Sequence, residues 1–212
     1  MSKTLDHINH QNRGAIILAG GDSKRLGQPK ALLDFNGMSL IEMIVASLQE
    51  LFGHITLVTD RPALHCNLPV KIIDDQLKDN VKSPLRGIHA GLEASDLPYQ
   101  FVVACDMPFL NLQLINYMAK FAPHFDAVVP LVEGYYQPLH AYYSRNCVKI
   151  IEEQVRAGRY KIIDFYARIN IHYISREDIN RFDPDELSFL NVNTWPDYEK
   201  ALALLNKHLK RR

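Results

Sequence analysis

The sequence has no net charge, because 24 aspartates and glutamates balance its 24 lysines and arginines. Binding to duplex nucleic acid relies on neutralising many phosphates, so this balance argues against a nucleic-acid partner. An anion that the chain binds must therefore be held by a local group of cations. With 212 residues, 47% of them hydrophobic, the chain is long enough to build a core without a disulfide or a structural metal.

Cysteines are few and isolated. Cys66, Cys105 and Cys147 show neither the CxxC spacing of a metal or redox site nor the density of a secreted disulfide scaffold. Apolar runs are short as well: none approaches the ~18 residues of a membrane span, and residues 1–13 lack the apolar stretch of a signal peptide. We therefore expect a flexible N-terminal extension at 1–13, a single domain at 14–212, a cytoplasmic location and no membrane contact.

Short apolar runs alternate with longer amphipathic segments from residue 14 onward. This pattern predicts a three-layer α/β/α fold with a mostly parallel, doubly wound sheet. The predicted strands are 14–18, 54–59, 70–73, 100–105, 126–130, 138–143 and 169–174. The predicted helices are 39–52, 87–95, 112–121, 146–157 and 196–209, and 176–188 is a polar excursion. Ligands of such sheets bind outside the carboxyl ends of the strands, so a site is expected in the segments that follow them.

The segment after the first strand, residues 18–30, reads LAGGDSKRLGQPK. Its glycines, which free backbone N–H groups, lie beside three cations, and this combination suits a polyphosphate; the residues are Gly20, Gly21, Gly27, Lys24, Arg25 and Lys30. The spacing excludes both a P-loop and a GxGxxG dinucleotide motif. The alternative is a glycine-rich turn with solvated basic residues.

The string LAGGxSxRxGxxK after a first strand resembles the signature of the molybdenum cofactor guanylyltransferases. These enzymes belong to the nucleotidyltransferases of the large glycosyltransferase-A-like superfamily. The resemblance implies that the backbone of the loop contacts a nucleotide and that an arginine and a lysine hold its triphosphate. In this sequence the loop residues are Leu18, Ala19, Gly20 and Gly21, and the two cations are Arg25 and Lys30. Leu26 differs from the family, which usually has methionine there.

Two consecutive carboxylates, Asp74 and Asp75, end the strand predicted at 70–73. A carboxylate at this place accepts hydrogen bonds from ribose or guanine, or caps a solvated turn. The resemblance implies that Asp75 binds the nucleoside. It also places Val58 at a position that contacts the nucleotide and is polar in some relatives. Because valine has no polar side chain, only its backbone could make that contact.

Residues 83–92, SPLRGIHAGL, resemble the GPLxGI segment of the family, with Ser83 in place of its first glycine. The segment opens a helix, whose first N–H groups lack partners. We expect it to face the nucleotide, with Arg86 as an additional phosphate contact. The alternative is an ordinary helix entry, at which proline is common.

Asp106 follows an apolar strand in QFVVACDMPFL, and Pro108 prevents that strand from continuing. A carboxylate at the sheet edge suits Mg²⁺, which binds through one or two carboxylates and shares its other positions with water and substrate phosphates. The alternative is a cap for the next helix. CDMP matches the family's metal-binding motif, so the resemblance implies that magnesium is the cofactor and that Asp106 is catalytic together with Arg25 and Lys30. Cys105 has no neighbouring base, and we predict that it is not a nucleophile.

Two later segments resemble the acceptor side of the family site. GYYQPLHAYYS resembles a PxxAxY segment, which implies that Gln137, Pro138 and His140 touch the acceptor; its aromatic alternation also fits a half-buried strand. NVNTWPD resembles NVNTPxD with Trp195 inserted. It implies that Asn191 and Asn193 contact the pterin or the metal site, whereas the alternative is a pair of turn asparagines before a helix.

The resemblance spans residues 14–205 and implies a magnesium-dependent reaction of GTP with molybdopterin. The terminal phosphate of molybdopterin would attack the α-phosphorus of GTP, giving the guanine dinucleotide cofactor and pyrophosphate. Gly20 favours GTP, because related cytidylyltransferases tend to carry alanine there. A cytidylyltransferase for the same pterin, a transferase for another phosphorylated metabolite and a non-catalytic carrier are the alternatives. Transient contact with cofactor-insertion proteins or molybdoenzymes is also expected.

Overall fold

The computed structural model describes residues 13–20, 26–74 and 81–209, which form a mixed β-sheet covered by helices. The strands are β1 (Gly14–Leu18), β2 (Asp34–Phe35), β3 (Met38–Ser39), β4 (His54–Val58), β5 (Lys71–Ile73), β6 (Tyr99–Ala104), β7 (Ala127–Val132), β8 (Tyr135–Tyr136), β9 (His140–Ser144) and β10 (Ile171–Ile174). The helices are α1 (Leu40–Gln49), α2 (Pro84–Glu93), α3 (Leu112–Ala119), α4 (Cys147–Arg156), α5 (Arg176–Asn180) and α6 (Trp195–Leu209). Each of the seven predicted strands and five predicted helices is present.

The main sheet has the strand order β10-β7-β9-β6-β1-β4-β5, with β8 added to β7. Strands β6, β1, β4 and β5 pair in parallel, whereas β9 runs antiparallel to both β6 and β7. The predicted mostly parallel sheet is therefore confirmed. Leu18 at the end of β1 pairs with Val58 of β4 and with Ala104 of β6, so three strands end side by side at one edge of the sheet.

Alternate residues of β1 face opposite layers of the fold, as the two-residue period of a strand requires. Ala15 and Ile17 belong to the core beneath α1, α3, α5 and α6. Ile16 and Leu18 belong to a second core beneath α2, α4 and the 3₁₀ helix Ile162–Arg168. The two cores lie on opposite faces of the sheet, which confirms the three-layer arrangement.

Helix α2 begins at Pro84, three residues before the predicted start. Ser83 is in an extended conformation and its hydroxyl accepts a hydrogen bond from the N–H of Arg86, so it caps the helix. Proline at the first helical position needs no N–H partner. The pair Ser83-Pro84 therefore marks the start of the helix, although the prediction placed these two residues in the segment before it.

The short elements were not predicted. Helix α5 lies within 176–188, which the sequence pattern predicts to be a polar excursion, and Ser175 caps the helix by accepting from the N–H of Asp178. The hairpin β2–β3 and strand β8 contribute two residues per strand, which is too short for a periodic pattern. The 3₁₀ helix Ile162–Arg168 lies between the predicted helix 146–157 and the predicted strand 169–174, and it was not predicted either.

Arg13 departs from the expected flexible extension, whose residues 1–12 lie outside the described part of the chain. Its side chain is 5% exposed, and its guanidinium donates to Asn116 Oδ1 at 2.9 Å and to the Tyr142 hydroxyl at 3.2 Å. These two bonds anchor the residue that precedes β1. Among the described helices, none has the length and apolar character needed to cross a membrane.

Helix α2 approaches β1 closely because two glycines face the strand. A Cβ atom at Gly91 would lie 2.6 Å from Ile16 Cγ2, and one at Gly87 would lie 3.0 Å from Leu18 Cδ2. Both strand side chains are buried, and they cannot withdraw without disturbing the core. The absence of side chains at these two positions therefore sets the distance between the helix and the strand that leads to the sheet edge.

We predict that Gly91→Ala destabilises the protein by about 1–3 kcal/mol, because the new methyl group overpacks the core. The overpacking outweighs the ~1 kcal/mol that alanine gains over glycine in a helix. Urea unfolding measures the change. In the double variant Gly91→Ala/Ile16→Val the loss is smaller than the sum of the two single losses, because valine lacks the Cδ1 atom that the new methyl group meets at 2.7 Å. Strict additivity would contradict this account.

Candidate functional site

A cavity of about 390 Å³ opens at the carboxyl edge of the sheet, where β1, β4 and β6 end beside the start of α2. Its volume lies in the range of small-molecule binding sites. The predicted residues that line it are Leu18, Ala19, Gly20, Lys30, Val58, Asp106 and Asn191. The structure therefore brings one half of the expected site together on one surface.

Lys30, Asp106 and Asn193 form a polar cluster at this edge. The ammonium group of Lys30 lies 2.8 Å from Asp106 Oδ2 and also donates to Asn193 Oδ1. The side chains of Lys30 and Asp106 are 21% and 17% exposed, so water screens their interaction only in part. A cation and a carboxylate, both accessible from the cavity, are the groups that a nucleotide with its metal requires.

The backbone of Asp106 is fixed from two sides. The N–H of the preceding Cys105 donates to the carbonyl of Leu18 at 3.0 Å, which ties the end of β6 to the end of β1. The carbonyl of Asp106 accepts from the N–H of Val192 at 2.8 Å, which brings in the segment before α6. These bonds hold the Asp106 peptide between the first strand and the C-terminal helix.

The segment that carries Asn193 is held by the cap of α6. Asp197 Oδ2 accepts from the N–H groups of Asn193 and Thr194 at 3.0 and 2.9 Å, and from the Thr194 hydroxyl at 2.8 Å. Hydrogen bonds from Thr194 and Asn193 lower the pKa of Asp197. The helix begins at Trp195, so the inserted residue becomes its first residue and Thr194 its cap.

The two predicted asparagines have different surroundings. Asn191 is exposed and lines the cavity, and its amide donates to the Phe189 carbonyl at 3.2 Å. Asn193 instead binds Lys30, the residue expected to hold the triphosphate. A substitution of Asn193 is therefore not expected to weaken binding of the pterin alone, because it also removes a hydrogen-bond partner of Lys30.

The end of β1 forms the floor of the cavity. Leu18 and Ala19 are bonded through their backbones to the neighbouring strand ends, and Ala19 N–H donates to the Val58 carbonyl at 2.8 Å. Val58 is buried, and its side chain adds an apolar surface. Gly20 is exposed, and no atom of residues 13–20, 26–74 or 81–209 lies within 4 Å of the position that its Cβ would occupy.

Three predicted binding residues, Gly21, Arg25 and Asp75, lie outside the described residues. Their roles stay predictions. Asp74, the first of the two consecutive carboxylates, is exposed and lines the cavity. The start of α2 also lines it, through Ser83, Pro84 and Gly87, as expected for a segment that faces a ligand.

Arg86 does not have the predicted position. Its side chain is 4% exposed, and its guanidinium donates to the carbonyl of Val81 at 2.6 Å. It does not line the cavity, although its neighbours in α2 do. Arg86 therefore orders the chain that enters α2, and the expected phosphate contact is not supported.

The contact predicted between His140 and the acceptor is also not supported. The ring is fully buried between Phe101 and Phe189, whose ring centroids lie 5.0 and 5.1 Å away. Burial lowers the pKa of His140 to about 3. Gln137 and Pro138 are half-buried and do not line the cavity, so their contact with an acceptor stays a prediction.

Thr59 and His65 line the cavity but were not identified from the sequence. The Thr59 hydroxyl donates to the Ala19 carbonyl at 3.2 Å and accepts from the N–H of Arg61, so it joins β1 to the segment after β4. Thr59 is the last residue of the strand predicted at 54–59, and it lies just beyond the observed end of β4 at Val58, so its position at a strand end was the available signal. His65 belongs to no recognisable motif.

Cys105 is a free cysteine in the wall of the cavity. Burial, with a contribution from the Asp106 carboxylate, raises its pKa to about 12. The thiol is therefore protonated at neutral pH, which agrees with the prediction that it is not a nucleophile.

The residues at this edge fit one mode of magnesium binding. In the described ranges, no group of three His, Cys, Asp or Glu side chains is arranged to hold a metal by itself. Mg²⁺ commonly uses one or two carboxylates and takes its remaining ligands from water and phosphates. Asp106 lines the cavity, and the Lys30 ammonium group donates both to its carboxylate and to the amide oxygen of Asn193. A single carboxylate in this position suits that mode of binding when a phosphate is present.

Comparison with known proteins gives consistent matches. Residues 15–170 match the family of MobA-like NTP transferase domains. A probable molybdenum cofactor guanylyltransferase of Pelotomaculum thermopropionicum is 37% identical, over 89% of this chain and 91% of its own length. A molybdenum cofactor guanylyltransferase of Syntrophotalea carbinolica is 36% identical, over 88% and 89%. The crystal structure of molybdopterin-guanine dinucleotide biosynthesis protein A from Archaeoglobus fulgidus superimposes with a TM-score of 0.82 at 28% identity, covering 92% of this chain and 99% of that one.

We predict that Thr194→Ala lowers the free energy of unfolding by about 1 kcal/mol, because the cap of α6 is lost. Ser39→Ala is the matched control, since Ser39 and Glu42 form the same type of capping box at α1. Both variants lose similar stability in urea unfolding. Only Thr194→Ala shifts the NMR signals of the Asn193 side-chain amide, because only this cap holds the segment bonded to Lys30. An equal shift in both variants would contradict the positioning role of the α6 cap.

Proposed function

Because the chain belongs to the MobA-like NTP transferase family, we propose that it transfers GMP from GTP to the terminal phosphate of molybdopterin. Two curated relatives, at 37% and 36% identity, are named probable molybdenum cofactor guanylyltransferase and molybdenum cofactor guanylyltransferase, respectively. The observation that carries the proposal is the Lys30–Asp106 pair in the wall of a cavity whose floor is the end of β1. The products are the guanine dinucleotide form of the cofactor and pyrophosphate.

The reaction is one displacement at phosphorus. An oxygen of the pterin phosphate forms a bond to the α-phosphorus of GTP, and the bond from that phosphorus to the bridging oxygen of the β-phosphate breaks. Pyrophosphate leaves with the electron pair. A phosphate monoester is largely ionised at neutral pH, so the nucleophile needs no general base. This agrees with a site in which the buried His140 has no access to the cavity.

The chain contributes position and charge rather than covalent chemistry. Lys30 places its ammonium group at the cavity, and hydrogen bonds to Asp106 and Asn193 fix the orientation of this group. In the bound state we propose that it interacts with the phosphates, where negative charge grows on the leaving group. Arg25 is proposed to act with it, on the basis of the family resemblance.

Magnesium is proposed as the cofactor. Asp106 would hold it, and the ion would neutralise charge on the triphosphate and so favour departure of pyrophosphate. Asp106 also bonds to Lys30, so we expect the protein to bind magnesium weakly without nucleotide. The carboxylate then serves both the ion and the orientation of the lysine.

The proposed preference for guanine rests on Gly20. Its φ is outside the left-handed region, so the backbone there does not require glycine. What glycine provides is room at its Cβ position, where an added atom would meet no atom of the described residues within 4 Å, at a residue that lines the cavity. A purine that lies against this backbone would use that space.

The cellular location and the protein partners are proposed in less detail than the reaction. We propose that the chain acts in the cytoplasm, where Cys66, Cys105 and Cys147 would stay reduced, as the free thiols they are in the structure. Transient contact with insertion proteins or recipient molybdoenzymes follows from the proposed product. It stays a prediction of the sequence.

We predict that Asp106→Ala reduces magnesium-dependent pyrophosphate release from GTP and molybdopterin by at least about a hundredfold. The variant loses both the proposed magnesium ligand and the partner of Lys30. Asp96→Ala serves as the control, because Asp96 is exposed and pairs with Arg145 beside the opposite edge of the sheet. Undiminished turnover in Asp106→Ala would refute the metal assignment.

We predict that Gly20→Ala weakens GTP binding more than CTP binding. The added methyl group enters the space proposed for the purine, whereas a pyrimidine needs less of it. Calorimetric titration of both proteins with each nucleotide, at saturating magnesium, measures the difference. Stronger binding of CTP than of GTP by the unchanged chain would favour the cytidylyltransferase alternative, and turnover without any base preference would contradict the role of Gly20.

A further inference from the structure

His65 is a buried histidine in the wall of the cavity that has no role in the reaction described above. It is the last residue of the 3₁₀ helix Pro62–His65, which follows β4. Its side chain is 4% exposed and contributes to the cavity surface beside Leu64. The residue thus lies at the proposed ligand site although no motif identifies it.

The Nδ1 atom of His65 is buried and has no hydrogen-bond partner among the residues of the described ranges. Buried polar atoms are nearly always paired in folded proteins, because an unpaired one loses its bonds to water without replacement. Burial also lowers the pKa of His65, so the ring is neutral at pH 7 and has one N–H donor and one acceptor. A ligand with a complementary polar group would remove this cost.

The strand order places His65 away from the phosphate end of the cavity. Lys30 and Asp106 lie where β1 and β6 end, and His65 follows β4, on the other side of β1. If a triphosphate binds at Lys30 and Asp106, the nucleoside would lie in the rest of the cavity, which Gly20 and the residues after β4 line. The nearby charged residues Asp60 and Lys82 pair with each other at 2.6 Å.

We propose that His65 hydrogen-bonds an edge of the nucleobase through Nδ1. Guanine offers acceptors at O6 and N7 and donors on its other edge, so it can match a neutral imidazole in either tautomer. Because Nδ1 is buried in the structure, contact with a base requires a rotation of the ring about χ2, a torsion that is broad for histidine and leaves χ1 unchanged. This inference rests on the proposed function, since it takes the phosphate end from the Lys30–Asp106 pair.

The test compares His65→Leu with the unchanged protein. Leucine has a similar volume and no polar atom, so we expect the ligand-free variant to be at least as stable in thermal unfolding. We expect its affinity for GTP, measured by calorimetry with magnesium, to fall about tenfold, the effect of one lost hydrogen bond. Affinity for inorganic tripolyphosphate is expected to stay unchanged, because that probe has no base.

His89→Leu is the matched control. His89 is 3% exposed and its Nε2 also has no partner within the described residues, but the residue does not line the cavity. A purely structural effect of replacing a buried histidine changes the stability of both variants and leaves GTP affinity alone. The combination of unchanged or raised stability with weakened GTP binding is expected only for His65→Leu.

A second pair of variants decides the question if His65→Leu does not fold. Asparagine places its amide near the position of Nδ1, whereas glutamine places it near Nε2. We expect His65→Asn to keep more GTP affinity than His65→Gln, and the reverse order would contradict contact through Nδ1.

The outcomes separate this inference from the proposed function. If the unchanged chain binds GTP and His65→Leu binds it equally well, the role of His65 is refuted and the proposed function is not. Equal losses for GTP and tripolyphosphate would assign His65 to the phosphates instead and refute contact with the base. If the unchanged chain does not bind GTP, the proposed function fails and the role of His65 fails with it.

Discussion

The parallel pairing of β1 with β6 is the constraint on which the candidate site depends. Leu18 pairs with Ala104, so both strands end at the same level of the sheet, and Cys105 N–H bonds to the Leu18 carbonyl. The chain that leaves β1 returns to this level as Lys30, and the chain that leaves β6 supplies Asp106, so that opposite charges meet at 2.8 Å. Because both side chains are mostly buried, removal of either charge would leave the other poorly compensated.

A second constraint comes from the C-terminal segment. The matched family domain ends at residue 170, yet Asn193 lies beyond it and completes the cluster through its bond to Lys30. The segment is held there by the Val192 N–H bond to the Asp106 carbonyl and by the capping box of α6. A chain that ended with the matched domain would lack these contacts, so the helix cap is part of the machinery that orients the lysine.

The sequence was sufficient for the seven longer strands of the sheet and for the positions of Asp106 and Lys30 beside their ends. Asp106 and Lys30 could be predicted because strand ends, a proline and a motif locate them within a few residues. His140 could not be placed correctly, because the aromatic alternation of its segment predicts a half-buried strand, whereas β9 is buried on both faces and the alternation does not separate buried from exposed positions. The phosphate contact predicted for Arg86 was wrong for a related reason. The position of Arg86 in the first turn of a helix does not reveal that its guanidinium donates to the carbonyl of Val81. His65 became visible only when the topology placed the turn after β4 beside the end of β1.

The measurement that tests the central claim most directly is identification of the product. The purified protein is incubated with molybdopterin, magnesium and equal concentrations of GTP and CTP, and the pterin products are separated and identified by mass spectrometry. Our account predicts the guanine dinucleotide of the pterin together with an equal amount of pyrophosphate. Formation of the cytosine dinucleotide instead, or recovery of unmodified molybdopterin with both nucleotides intact, would contradict it.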